Sequence, residues 1–281
     1  MSVRIIIDST ADVIPEVRKR VNVVPLTVHF GEQEYTDGVT ISHKEFYEKL
    51  VESDVLPSTS QATPDAFSRV FEAVEKDGDS AVVLTLSSRL SGTYQSAMIA
   101  AGEHGNIYVV DSDTVAIGTG ILAELALQLV DAGLDAGSIA ERLEQEKQNV
   151  RIIAMVDTLE YLKKGGRISK TVAFAGGLLN IKPVLSVVGG EILMLGKARG
   201  ARQGSQLLVD QINQAGGVDF TKPVLLGYTG LTDSYLQKFA EDSKALWEEG
   251  TDRLHSTVVG SVIGTHAGPG AIAAAFFRKN P

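Results

Sequence analysis

Short apolar runs rich in β-branched residues alternate along the chain with longer stretches whose apolar positions recur every three to four residues. The runs Val3–Ile7, Val23–Phe30, Ala81–Leu84, Ile107–Val110, Ile152–Val156, Val224–Gly227 and Thr257–Val262 predict strands. Between them, Ser42–Val51 predicts a helix with Phe46, Tyr47, Leu50 and Val51 on one face. Another opens at Thr63-Pro64, with Thr63 as cap and Pro64 in the first position, and carries Phe67, Val70, Phe71 and Val74. Further helices are predicted over Ile117–Leu129, Ser138–Gln148, Thr158–Lys164, Ser205–Ile212 and Tyr235–Trp247. Gly31–Glu34 reads as a turn and Pro57–Ala62 as a polar loop.

Strand and helix in alternation, joined by short polar connections, is the signature of an α/β fold with a parallel sheet. Val184–Val188 and Ile192–Leu195 flank Gly189-Gly190, which predicts a tight hairpin and a mixed sheet in the second half. The expectation is two α/β domains, residues 1–150 and 151–281, the first mainly parallel and the second mixed, with a cleft between them. Ligands of such sheets sit beyond the carboxyl ends of the strands. Asp8-Ser9-Thr10, Ser87–Thr93 and Asp111-Ser112 all fall at that edge, and Asp8-Ser9-Thr10 suits a helix N-cap.

Composition narrows the function classes. The 281 residues carry a net charge of −9, which argues against a broad nucleic-acid-binding face. The absence of cysteine excludes disulfides, thiolate metal sites and cysteine nucleophiles. No run approaches the roughly 20 apolar residues of a membrane span, so a cytoplasmic location is expected. No phosphate-binding Gly-Lys-Ser/Thr loop and no Gly-x-Ser-x-Gly elbow is present. Asp8, Asp37, Asp111, Asp113 and Asp157 lie near turns without histidine at ligand spacing, so capping is the better reading of each, and no metal is expected.

The segment Leu86-Ser87-Ser88-Arg89-Leu90-Ser91-Gly92-Thr93 leads from a strand into a helix start. Free N–H groups there favour an anion, and Ser91 and Thr93 add uncharged donors, although Ser91 as a simple helix cap reads equally well. His266 stands in a glycine-dense loop, Gly264-Thr265-His266-Ala267-Gly268-Pro269-Gly270, where it either meets an anion or only orders the loop. Lys163-Lys164-Gly165-Gly166-Arg167 and Lys197-Ala198-Arg199-Gly200-Ala201-Arg202 are local basic clusters suited to a phosphate, a negatively charged partner, or a solvated helix end. Ser91 with His266 as nucleophile and base would make a serine-type acyl hydrolase, but no orienting acid is evident.

Taken together, Asp8-Ser9-Thr10-Ala11-Asp12, Pro25-Leu26, Thr59-Ser60-Gln61, Leu86–Ala97, Asp157–Ser169, Leu179-Asn180-Ile181-Lys182-Pro183 and Ile263–Ala271 resemble, in order, the motifs of the DegV family. The resemblance spans essentially the whole chain. It implies two α/β domains with a long-chain fatty acid in an apolar tunnel between them, and no other cofactor. It implies further that Thr59 and Ser91 hydrogen-bond the carboxylate with His266 close by. On the same ground, Arg167 and Arg199 serve the phosphorylated state or docking on a partner. That partner is a separate ATP-dependent fatty acid kinase subunit, which converts the bound carboxylate to an acyl phosphate for phospholipid synthesis. The protein would then be a carrier rather than an enzyme. After Arg199 the chain is less basic than in many relatives. Phe174, Leu178, Leu179, Ile181 and Leu185 are expected to line the tunnel or the ordinary core. A relationship to dihydroxyacetone kinase-like folds leaves a small phosphorylated ligand as a third reading.

Overall fold

The computed structural model describes residues 2–102, 104–168 and 180–279. The first half contains strands β1 (Val3–Asp8), β2 (Val21–Val24), β3 (Thr27–Phe30), β4 (Gln33–Thr36), β5 (Ser58–Ser60), β6 (Ser80–Thr85) and β7 (Ile107–Asp111). Its helices are α1 (Pro15–Arg18), α2 (His43–Glu52), α3 (Pro64–Lys76), α4 (Thr93–Ala101), α5 (Ile117–Asp131) and α6 (Ala136–Glu146). Strands β2-β1-β6-β7 pair in that order as an all-parallel sheet, while β4-β3-β5 form a small antiparallel one. Ile5, Ile6 and Ile7 are consecutive and all buried, because helices cover both faces of the parallel sheet. That is why the strand reads as a continuous apolar run.

Local chemistry fixes the helix starts. Ser42 accepts from the N–H of Glu45 at 3.2 Å while the Glu45 carboxylate accepts from the N–H of Ser42 at 2.8 Å, a reciprocal cap for α2. Thr63 caps α3 ahead of Pro64, and Phe67, Phe71 and Val74 turn inward as the spacing predicts. Val70 is half-buried, and on α2 Val51 is exposed.

The second half comprises β8 (Val150–Met155), α7 (Glu160–Lys164), β9 (Ile181–Val188), β10 (Glu191–Arg199), α8 (Gly200–Gln214), β11 (Leu225–Tyr228), α9 (Ser234–Asp242), α10 (Lys244–Trp247), β12 (His255–Val258), α11 (Ser261–Ala267) and β13 (Ile272–Phe277). Its sheet runs β10-β9-β8-β13-β11-β12. Only the β11–β12 pairing is parallel, so the sheet is mixed. The hairpin turns through Gly189 and Gly190 at φ of 55° and 80°, a left-handed pair that other residues adopt at a cost. Helix α5 lies between the two large sheets. Its Ile117, Ile121 and Leu122 share one apolar cluster with Ile5, Val82, Ile152 and Ala275. A second cluster centred on Trp247, Phe239 and Leu208 packs the other side of the mixed sheet. Among the described residues no helix is long and apolar enough to cross a membrane.

Several local expectations are corrected. Val23–Phe30 is two strands, broken at Pro25-Leu26, because proline lacks the N–H that a continuous strand needs. The Gly31–Glu34 turn runs into β4, and the supposed loop Pro57–Ala62 contains β5, both polar edge strands with weak apolar patterning. Asp8 caps no helix; its side chain closes a turn onto the N–H of Thr10 at 2.8 Å. Tyr235–Trp247 breaks at Ser243, whose hydroxyl donates back to the carbonyl of Phe239 at 2.6 Å. The strand expected over Thr257–Val262 stops at Val258, and Ser261–Ala267 is helical. His266 therefore sits on a helix rather than in a loop. The central strand β13 is absent from the sequence expectations, because after Ile272 its run Ala273-Ala274-Ala275-Phe276-Phe277 has neither alternation nor a further β-branched residue.

Candidate functional site

A cavity opens between the two large sheets beneath the N-terminus of α5. The mixed sheet forms one wall: Ile152 and Ala154 of β8 with Val156 just beyond it, Leu185–Val187 of β9, and Ala271–Ala273 at the start of β13. Leu26, Leu86, Val115, Ile117 and Val262 form the opposite wall. Counted with the open solvent at its mouth, the space is about 1040 Å³. On β8, strand periodicity explains the apolar wall, because residues i and i+2 project from the same face.

Polar side chains reach this space through one closed circuit of contacts. Nε2 of His266, in the last turn of α11, lies 2.9 Å from Oγ1 of Thr59 on β5. Two residues on, Gln61 lies against Gly92 so closely that a Cβ there would overlap its amide, while its Nε2 donates to Ser96 Oγ at 2.9 Å. Ser91 precedes Gly92, and the carbonyl of Leu90 accepts from Nε of Arg167 at 3.2 Å. Arg167 also donates from Nη1 to the carbonyl of Gly165 at 2.7 Å. A Cβ on Gly165 would overlap Nδ1 of His266, which closes the ring. Thr59, Ser91, Arg167 and His266 are thus brought together at the cavity.

The electrostatics of this end are mild. Burial, with the Arg167 charge adding to it, pushes the His266 imidazole down to about 4, so it is neutral near pH 7. Its Nδ1 is buried without a hydrogen-bond partner among the described residues. The Ser91 hydroxyl pairs with Oγ1 of Thr93 at 2.9 Å and accepts from the N–H of Thr93 at 3.3 Å. Ser91 meets the first N–H of α4 from just outside the helix, whose N-cap is Gly92, and it also lines the cavity.

Arg199 is elsewhere. It is exposed at the end of β10 and does not line the cavity; its backbone N–H donates to Oε1 of Gln203 at 3.2 Å. Of the expected lining residues, Leu185 lines the cavity and Ile181 does not, while Phe174, Leu178 and Leu179 lie outside the described residues. The hydrolase alternative finds no support. The hydroxyl on His266 is that of Thr59 rather than Ser91, and no carboxylate reaches Nδ1 to orient the ring. Among the described residues no three His, Asp or Glu side chains are grouped to hold a metal ion. Gln61, Gly92 and Gly165 were missed as site-shaping residues. Only the adjacency of Gln61 to Thr59 offered a signal in the sequence.

The chain has relatives over its full length. It is similar to a DegV domain-containing protein of Caldanaerobacter subterraneus, with 34% identity covering 99% of both chains. Its structure is similar to one described as showing fatty acid binding by a DegV family protein from Thermus thermophilus. That match has a TM-score of 0.87 and 30% identity, and covers 99% of this chain and 100% of the other. It is also similar to a stearic acid-binding protein from Eubacterium ventriosum, at a TM-score of 0.85 and 27% identity over 99% of each chain. Residues 2–279 match the family described as "Uncharacterised protein, DegV family". The chain therefore belongs to the DegV family.

Proposed function

We propose that this protein binds one long-chain fatty acid, with its alkyl tail along the mixed sheet and its carboxylate at the Thr59–Ser91–His266 end. The observation that carries this is the segregation within one cavity: aliphatic side chains over most of the wall, and the polar circuit through Thr59 and His266. The two solved relatives described as binding a fatty acid or stearic acid support the same ligand class. Burial contributes about 0.8 kcal/mol per CH₂, so the tail dominates affinity and the polar end sets orientation.

The head-group chemistry suits a carrier that hands its ligand on. The Ser91 and Thr59 hydroxyls, the latter backed by the neutral His266 ring, can hydrogen-bond a carboxylate without being charged themselves. The carboxylate oxygen then stays nucleophilic enough to attack the γ-phosphorus of ATP, forming an acyl phosphate as ADP leaves. The chain has no Gly-x-x-x-x-Gly-Lys-Ser/Thr loop, and in this reading a separate kinase subunit supplies the nucleotide. Arg167 at the cavity and the exposed Arg199 are the residues proposed to meet the phosphate or the kinase.

Mass spectrometry of lipid extracted from protein purified out of bacteria tests the reading. About one fatty acid per chain is expected, and delipidated protein should bind palmitate or oleate on titration. Recovery of no lipid together with no binding of either acid overturns it.

A further inference from the structure

The loop Asp8-Ser9-Thr10-Ala11-Asp12 contributes nothing to the cavity wall, yet three of its side chains grip the segments that do. The Asp8 carboxylate accepts from the backbone N–H of Leu86 at 2.8 Å. Ser9 Oγ accepts from the N–H of Leu26 at 3.0 Å. Asp12 Oδ1 accepts from the N–H of Gly260 at 2.7 Å across 248 residues of sequence. Leu26 and Leu86 line the cavity directly. Gly260 is the residue before α11, whose Val262, Ile263 and His266 line it too.

These anchors are built into the interior. Asp8 and Asp12 are 0% and 4% exposed. Burying a carboxyl group is unfavourable unless hydrogen bonds compensate; burial pushes the Asp12 carboxyl well up, the Gly260 N–H opposes that shift, and Oδ2 has no partner among the described residues. Asp37, also buried, faces Ser9 and Ser261 and adds a second carboxylate at the start of α11. An ideal Cβ on Gly260 would lie 3.2 Å from Asp12 Oδ1 and 3.1 Å from Nε2 of His43, so the helix start fits tightly between them.

We propose that Asp12 is a positioning residue for the carboxylate end. Through Gly260 it fixes the start of the helix whose last turn carries His266, while Asp8 and Ser9 of the same loop fix the strands and turns leading to the opposite side of the site. One five-residue loop thereby sets the distance between the Thr59–His266 pair and the Ser91 segment. This rests on the fatty-acid reading of the cavity.

The experiment compares palmitate with hexadecanol, which share a tail and differ only at the head. Wild-type protein is titrated with both first; binding of neither overturns the fatty-acid reading and this inference with it. With binding established, Asp12→Ala is expected to weaken palmitate about tenfold and to leave hexadecanol within about twofold. Asp12→Asn, whose amide oxygen still accepts from Gly260, is expected to restore the wild-type ratio. If Asp12→Ala does not fold, Gly260→Ala perturbs the same contact from the helix side and is expected to give the same selective loss. Equal weakening of both ligands, or no change in palmitate affinity, overturns the positioning role.

Discussion

Oγ1 of Thr59 and Nε2 of His266 lie 2.9 Å apart, although 207 residues separate them in sequence. The threonine belongs to the small antiparallel sheet of the first half and the histidine to a helix of the second. The contact therefore ties the two halves together at the cavity. It also uses the imidazole nitrogen that a nucleophilic serine would have required.

Gly165 determines whether that contact forms. Its φ is −73°, so the backbone there tolerates any residue, but a Cβ would overlap Nδ1 of His266. Gly165→Ala is expected to displace the ring, break the pair with Thr59 and weaken palmitate binding about tenfold, with unchanged far-UV circular dichroism. Wild-type affinity in a folded Gly165→Ala protein would remove His266 from the head-group site.

The buried imidazole gives a pH signature with a definite sign. Its ordinary value is 6.5 and the folded protein lowers it to about 4. Between those values the unfolded chain binds the proton and the native chain does not, so the histidine's contribution is full above about 6.5 and is lost as pH falls toward 4. Wild-type stability should thus fall more steeply over this window than that of His266→Gln, followed by urea unfolding. In the ligand-free protein the His266 ring signal should keep its neutral-form NMR shift at pH 5.5. A titration centred near 6.5 would contradict the burial argument.

Much of this architecture was legible in the chain, for physical reasons. The buried parallel strands announced themselves because both faces are covered, so Ile5–Ile7 and Ala81–Leu84 had to be apolar throughout. The caps at Ser42 and Thr63 were readable because capping is a local interaction. β13 was not, since its place in the sheet is decided by partners β8 and β11, over 40 residues away. The site followed the same division. Ser91 and His266 stood out by residue type. Gly165 and Gly92 did not, because their role is the absence of a side chain against a group distant in sequence.

Ala116 is a strained point in the cavity wall. It precedes α5 with φ of 53° and ψ of −132°, a conformation that a side chain disfavours and glycine adopts freely. Ala116→Gly should raise stability by about 1 kcal/mol, after allowing for the extra freedom of the unfolded chain. The change would show as a higher urea midpoint with an unaltered m-value. A lower midpoint would mean that the buried methyl group outweighs the strain.

In the proposed function the two arginines would serve different steps, Arg167 the ligand and Arg199 the hand-over. Arg167 lines the cavity and holds the carbonyls of Leu90 and Gly165, so Arg167→Ala removes two anchors of the polar circuit as well as a positive charge. It is expected to weaken palmitate binding and to lower kinase-dependent phosphorylation of the bound acid. Arg199 is exposed, its backbone pairs with Ile181 and donates to Gln203, and among the described residues its guanidinium has no hydrogen-bond partner. Arg199→Ala should leave palmitate affinity within about twofold, since surface substitutions away from packed features change little. Phosphorylation by the partner kinase should still drop in that variant, and the difference from wild type should narrow at higher salt, where charge-guided encounter is screened. Loss of palmitate binding in Arg199→Ala would place this residue in the ligand site instead, and unchanged phosphorylation would remove it from the docking surface.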